Sequence, residues 1–224
     1  MWTYLGNARH KLLAHWLVEH SFGTIASNIM TMTTALPNQL KIALKEWATV
    51  CDALATGRQI ILLRKGGIYE AAGEFELENR EFLLFPTYLH QNAPMLKTAY
   101  RAGLTSVSAE PGEVHLASAG IVSDIIQLSN RQQIDAIDDE HVWAPPLIDM
   151  RVNYKPENPL YLLIIRAYRL PAAVIVPNTP AYAGCKSWVP LDEPIALAGA
   201  APALGDSAFE SRRSSILKRL SPGA

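Results

Sequence analysis

Residues 57–91 read GRQIILLRKGGIYEAAGEFELENREFLLFPTYLHQ, and the fold class turns on this stretch. An apolar run from Ile60 to Leu63 is framed by Arg58 on one side and by Arg64 and Lys65 on the other, with Gly66 and Gly67 next. That order predicts a buried strand that delivers two cations onto a tight turn. A second strand, Phe82 to Phe85, runs into Pro86, Thr87 and Tyr88 and leaves His90 and Gln91 just past its end. Loops after strand ends are where a rigid scaffold presents its working groups. Between the two strands Glu74, Glu76 and Glu78 alternate with Phe75 and Leu77, the pattern of a strand with one solvated face.

Upstream, Leu40, Ala43, Leu44, Trp47, Cys51 and Leu54 recur at threes and fours with Lys41, Lys45, Glu46 and Asp52 between them. The spacing predicts an amphipathic helix over residues 39–56, closed by Gly57 as a C-terminal cap. Trp47 and Cys51 fall on its apolar stripe and read as core. Residues 1–39 differ from the rest, being aromatic and dotted with His10, His15 and His20. A spacing of five does not gather ligands on one helical face, so this lead reads as an extension, disordered or upstream of a translation start at Met30 or Met32.

Downstream, residues 92–101 predict a short helix, and residues 114–117 and 121–128 two strands. Ser129 or Asn130 caps a helix through Asp138, before a loop that holds His141, Trp143, Pro145 and Pro146. Residues 160–170 form the strongest later strand, in which Arg166 and Arg169 interrupt the apolar run, so at least one of them faces solvent or a groove. A short strand at 174–176 and a turn-rich link through Pro177, Pro180 and Gly184 lead to Trp188. The Ala-rich segment beyond Pro194 reads as loose and residues 211–220 as a short terminal helix. The expected organisation is an N-terminal extension (1–39), one α+β domain (40–196) and a C-terminal tail (197–224).

The chain has 224 residues, 49% of them hydrophobic, enough for an ordinary core, and a formal net charge of -1. Any contact with nucleic acid must therefore use a local patch. Two cysteines, Cys51 and Cys185, argue against a disulfide scaffold and fit a reducing, cytoplasmic setting. No apolar run approaches the ~20 residues of a spanning helix, so no membrane partner is expected.

The chemistry gathers in Arg64, Lys65, Gly66, Gly67, Thr87, Tyr88, His90 and Gln91, with Arg166 added from the later strand. Two cations and a glycine turn can bring charge and backbone N–H groups to a phosphate. A Walker motif is absent. Tyr88, His90 and Gln91 can form a recognition edge for a base, and His90 has the side chain suited to general base work. The competing reading is a hairpin turn with solvated cations. A metal-dependent nuclease would draw on Glu70, Glu81 and His90, but no acidic residue is followed at two positions by a lysine on these strands. Cys185 and Ser187 sit beside Lys186 without an evident base. No metal site and no cofactor are expected.

The strings RKGGI, EFLLFPTYLHQ and, much later, YAGCKSWVPL resemble the bacterial family known as domain of unknown function 1802, from about Leu40 to the end. Members are reported beside restriction-endonuclease-type modules, so the resemblance implies nucleic acid, RNA or DNA, and a partner nuclease. More weakly, the order of elements and residues 57–64 look like the entry into PUA-like barrels of the ASCH and EVE kind. Leu62 stands where that group carries an acidic residue. The expected fold is α+β with a mainly antiparallel, partly closed barrel. The expected function is non-catalytic binding of nucleic acid or a modified nucleotide, tied to restriction-modification. A hydrolase or a protein-interaction subunit is the alternative.

Overall fold

Chain segments with strong β content build the sheet on which everything else rests. The computed structural model describes residues 35–65, 68–71, 74–102, 104, 107–184 and 186–221, and for residues 68–76 the backbone alone. The expectations on His10, His15, His20, Met30, Met32, Gly66, Gly67 and Cys185, and on the side chains of Glu70, Glu74 and Glu76, fall outside that description.

The main sheet uses β1 (Gln39–Trp47), β2 (Ile61–Arg64), β5 (Glu81–Thr87), β6 (Glu113–Leu128), β7 (Leu160–Pro177), β8 (Trp188–Ala196) and β9 (Ala201–Pro202). Its order is β2-β7-β6-β5-β1-β8, with β9 pairing β7. All pairings are antiparallel except β1 with β5. β3 (Ile68–Ala71) and β4 (Glu74–Leu77) make a separate hairpin. The helices are α1 (Ala48–Ala55), α2 (Arg131–Asp135), α3 (Pro145–Asn153) and α4 (Asp206–Leu220). The protein is thus α+β with a mainly antiparallel sheet, as expected. The long strands β6 and β7, 16 and 18 residues, carry register shifts at Leu116/Ser118 and Val122/Asp124. Such bulges bend a strand and increase its twist. The coiling carries edge strand β2 back toward β1, so that Arg64 meets Glu46, although no hydrogen-bond ladder joins the two strands.

Five expectations need correction. Residues 39–47 are a strand, and only 48–55 are helical. This strand lies between β5 and β8, and Ala43 and Leu44, on opposite faces, are both fully buried. A strand buried on both faces shows no period of two, so its apolar spacing imitated a helix. The two strands expected in 114–128 are one, β6, as are those in 160–176, β7. The loop after His141 is helix α3, whose first turn begins with Pro145 and Pro146, where proline's missing N–H costs nothing. The stretch past Pro194 holds the end of β8, then β9 and α4, whose Phe209, Ile216 and Leu220 join the core. The expected cap did form: Gly57 has φ +70, and a Cβ there would come within 2.6 Å of Leu204 Cδ2.

The core packs the inner faces of β2, β5 and β7 against α1 and α4, with Phe82, Leu84, Ile61, Leu62 and Leu63 at its centre. Trp188 meets Phe82 edge-on at 5.4 Å, as a packed aromatic. A Cβ at Gly120 would stand 2.8 Å from Ile165 Cγ2 and 3.1 Å from Phe82, so β6 can cross here only as glycine. Among the described residues no helix is long and apolar enough to cross a membrane.

Candidate functional site

Parallel pairing of β1 with β5 brings two strand ends together: Glu46 lies opposite Pro86 and Trp47 opposite Thr87. Past those ends the chains diverge, β1 into α1 and β5 into a turn, and a groove of about 800 Å3 opens there. The Thr87 hydroxyl donates to the Glu46 carbonyl at 3.1 Å and ties the two ends. The Glu110 carboxylate accepts the backbone N–H groups of Tyr88, at 3.0 Å, and Leu89, at 2.8 Å, and so sets the turn that carries His90.

Arg64 enters from the end of β2, with its side chain only 12% exposed. Its Nη1 stands 3.9 Å from Glu46 Oε2, the outer limit of an ion pair, while Glu46 Oε1 accepts the Trp47 N–H at 2.8 Å. Arg151, in the last turn of α3, lines the same groove. Burial lowers the Arg64 pKa below its ordinary value; Glu46 opposes that effect and Arg151 reinforces it. Lys45 donates to the carbonyls of Tyr182 and Gly184 and lies 5.7 Å from the Phe85 ring, so it straps the 180s loop over the groove. The Phe85 ring meets Tyr182 edge-on at 6.0 Å. Lys186 and Ser187 line the rim.

Of the residues expected to bind a ligand, Arg64, Thr87 and His90 line this groove. His90 is exposed and makes no hydrogen bond to a described residue. The other described members of that set do not line it. Lys65 donates to the carbonyls of Val152, Tyr154 and Lys155, closing the end of α3. Tyr88 stands beside the groove with its backbone held by Glu110, and Gln91 caps α1 through Thr49. Arg166 is buried under α4, paired with Asp206 and 4.7 Å from the Phe209 ring. Glu81 begins β5 and His90 follows its end, so a strand length of ~20 Å separates them. Among the described residues no group of three or more His, Cys, Asp or Glu could hold a metal ion.

The sequence reading passed over Lys45, Glu46, Trp47, Glu110 and Arg151 as site residues. The first three fall on a stretch expected to be helix that is half strand, and Arg151 lies on α3, a helix not expected from the sequence. The Pro145-Pro146 start was the signal that could have found α3.

A family model described as "Domain of unknown function (DUF1802)" matches residues 43–215. No curated protein matches the chain. Among solved structures, two mutant proteins of ZmASCH from Zymomonas mobilis are similar over most of the chain. A serine-to-alanine mutant, 9% identical, covers 80% of this chain and 98% of its own, with a TM-score of 0.38. A tyrosine-to-phenylalanine mutant, also 9% identical, covers 77% and 96%, with a TM-score of 0.36.

Proposed function

We propose that this chain, which belongs to the DUF1802 family, is a binding module for nucleic acid or a modified nucleotide and does no chemistry on it. The observation that carries the reading is the charge of the groove. Lys45, Arg64, Arg151 and Lys186 line it against Glu46 and Glu110, in a chain whose formal net charge is -1. A local excess of cations in a walled cleft attracts phosphate, because low-dielectric walls focus the field. Trp47 and Leu89 add apolar surface for a base. On this reading the protein works in the cytoplasm, and a partner nuclease of a restriction-modification system supplies any cutting.

The test is fluorescence anisotropy with short labelled single-stranded RNA and DNA across a salt series. Binding should weaken with salt, and Arg151→Gln should reduce the log–log slope by about 0.7, the value of one single-strand phosphate contact. No retention at low salt, or binding indifferent to replacement of Arg64, Arg151 and Lys186, overturns the reading. Metal-dependent cleavage that Glu81→Gln abolishes would replace it with the nuclease alternative.

A further inference from the structure

We propose that the groove seats a phosphomonoester between Arg64 and Arg151, so that its ligand is a single terminally phosphorylated nucleotide unit and not the interior of a strand. The inference rests on the binding function proposed above and narrows it.

Arg64 is the first reason. Its guanidinium is mostly withdrawn from solvent, makes no hydrogen bond to a described residue, and has its carboxylate partner at 3.9 Å. A guanidinium presents five N–H donors in a rigid fork suited to phosphate, and burying it with those donors unused is costly. Glu46 cannot turn fully toward it without giving up the Trp47 N–H. Arg151 lies close enough for its charge to oppose that of Arg64. An anion held between the two guanidinium groups would satisfy the donors and remove the repulsion at once.

Charge and size specify the anion. Four cations face two carboxylates along the groove. That excess of two matches a phosphomonoester, which carries about -1.5 to -2 at pH 7; a backbone diester carries only one charge. At about 800 Å3 the space is that of a small-molecule site and not of an extended track. The wall formed by the 180s loop, strapped by Lys45, bounds it on one side.

The experiment is calorimetric titration of the full chain with nucleoside 5′-monophosphates, the matching nucleosides, 3′,5′-cyclic monophosphates and inorganic phosphate. Monophosphates should bind about tenfold or more tightly than nucleosides or the cyclic diesters, as charge-assisted hydrogen bonds require. Inorganic phosphate should compete with them. Arg151→Gln, a change on a helix surface that can be checked for an unaltered melting temperature, should erase the difference. Equal binding of nucleoside and monophosphate, or failure of phosphate to compete, overturns the proposal.

A strand with a 5′-phosphate, compared with its 5′-hydroxyl counterpart, separates the two sources of the group. Tighter binding of the phosphorylated strand assigns strand ends, while monophosphate binding without that difference assigns the free nucleotide. If strands bind in a salt-dependent way but monophosphates do not, the terminal phosphate falls and the broader function stands. If nothing binds, both fall.

Discussion

Gln91 Oε1 accepts the backbone N–H of Thr49 at 2.9 Å and its hydroxyl at 2.8 Å, so a side chain past β5 caps α1 through a residue 42 positions earlier. The first N–H groups of a helix have no partner within it, and α1 has no capping side chain of its own. Gln91→Ala should therefore cost about 1 kcal/mol, the usual value of an N-terminal cap. Urea unfolding of the variant checks this, and a midpoint equal to that of the parent would show that the cap contributes nothing.

Lys65 and Arg64 are neighbours with opposite duties, because successive strand residues point to opposite faces. The Lys65 ammonium is spent on three carbonyls at the end of α3, at 2.9, 2.5 and 3.1 Å. Lys65→Met should lower stability by about 0.5 to 1 kcal/mol, as loss of a cation at a helix C-terminus does, and leave the salt slope of ligand binding unchanged. A slope that drops in Lys65→Met would place this amine on the ligand instead.

What the sequence disclosed and what it hid follow one physical division. Residues 60–64 and 81–87 were legible because a continuous apolar run bounded by charges has few other uses than a buried strand. The cap at Gly57 was legible because only glycine takes its positive φ without strain. Residues 39–47 were misread because burial on both faces erases the alternation that marks a strand. Arg64 and His90 line one groove, but β7, β6 and then β5 follow β2 across the sheet. Only the coiling of the whole sheet brings the two side chains to one groove, and no local pattern encodes that. Arg166 interrupts an apolar run as a solvent-facing residue would; its actual cover, Asp206 and Phe209, comes from α4, some forty residues on.

Cys51 is the described thiol, and it should be inert. It is buried, and burial together with the nearby Glu46 charge pushes its pKa well above that of an ordinary cysteine. In a Cys185→Ser variant, a thiol reagent such as Ellman's should release no colour from the native protein at pH 8 and one equivalent after denaturation. Rapid native labelling would show that α1 opens readily.

His141 gives the protein a pH dependence whose sign is set by its surroundings. The side chain is fully buried, neither ring nitrogen has a hydrogen-bond partner among the described residues, and the Trp143 ring lies 5.2 Å away. Burial first, and Lys97 second, push its pKa down from 6.5 to about 4, against the opposing pull of Asp138, whose Oδ1 is 3.8 Å from Nε2. The unfolded chain takes up a proton near pH 6.5, while the folded chain resists until about pH 4. Between those values the unfolded state holds more protons, so stability is complete above pH 6.5 and declines as the pH falls toward 4. At 1.36 kcal/mol per unit the whole decline is about 3 kcal/mol, of which about 2 kcal/mol has gone by pH 5. His141→Phe fills similar space with a ring that cannot titrate, so urea unfolding at pH 7 and pH 5 should show that part of the decline abolished. If the variant loses as much stability between those two pH values as the parent does, carboxylates elsewhere, and not this imidazole, govern the acid limb.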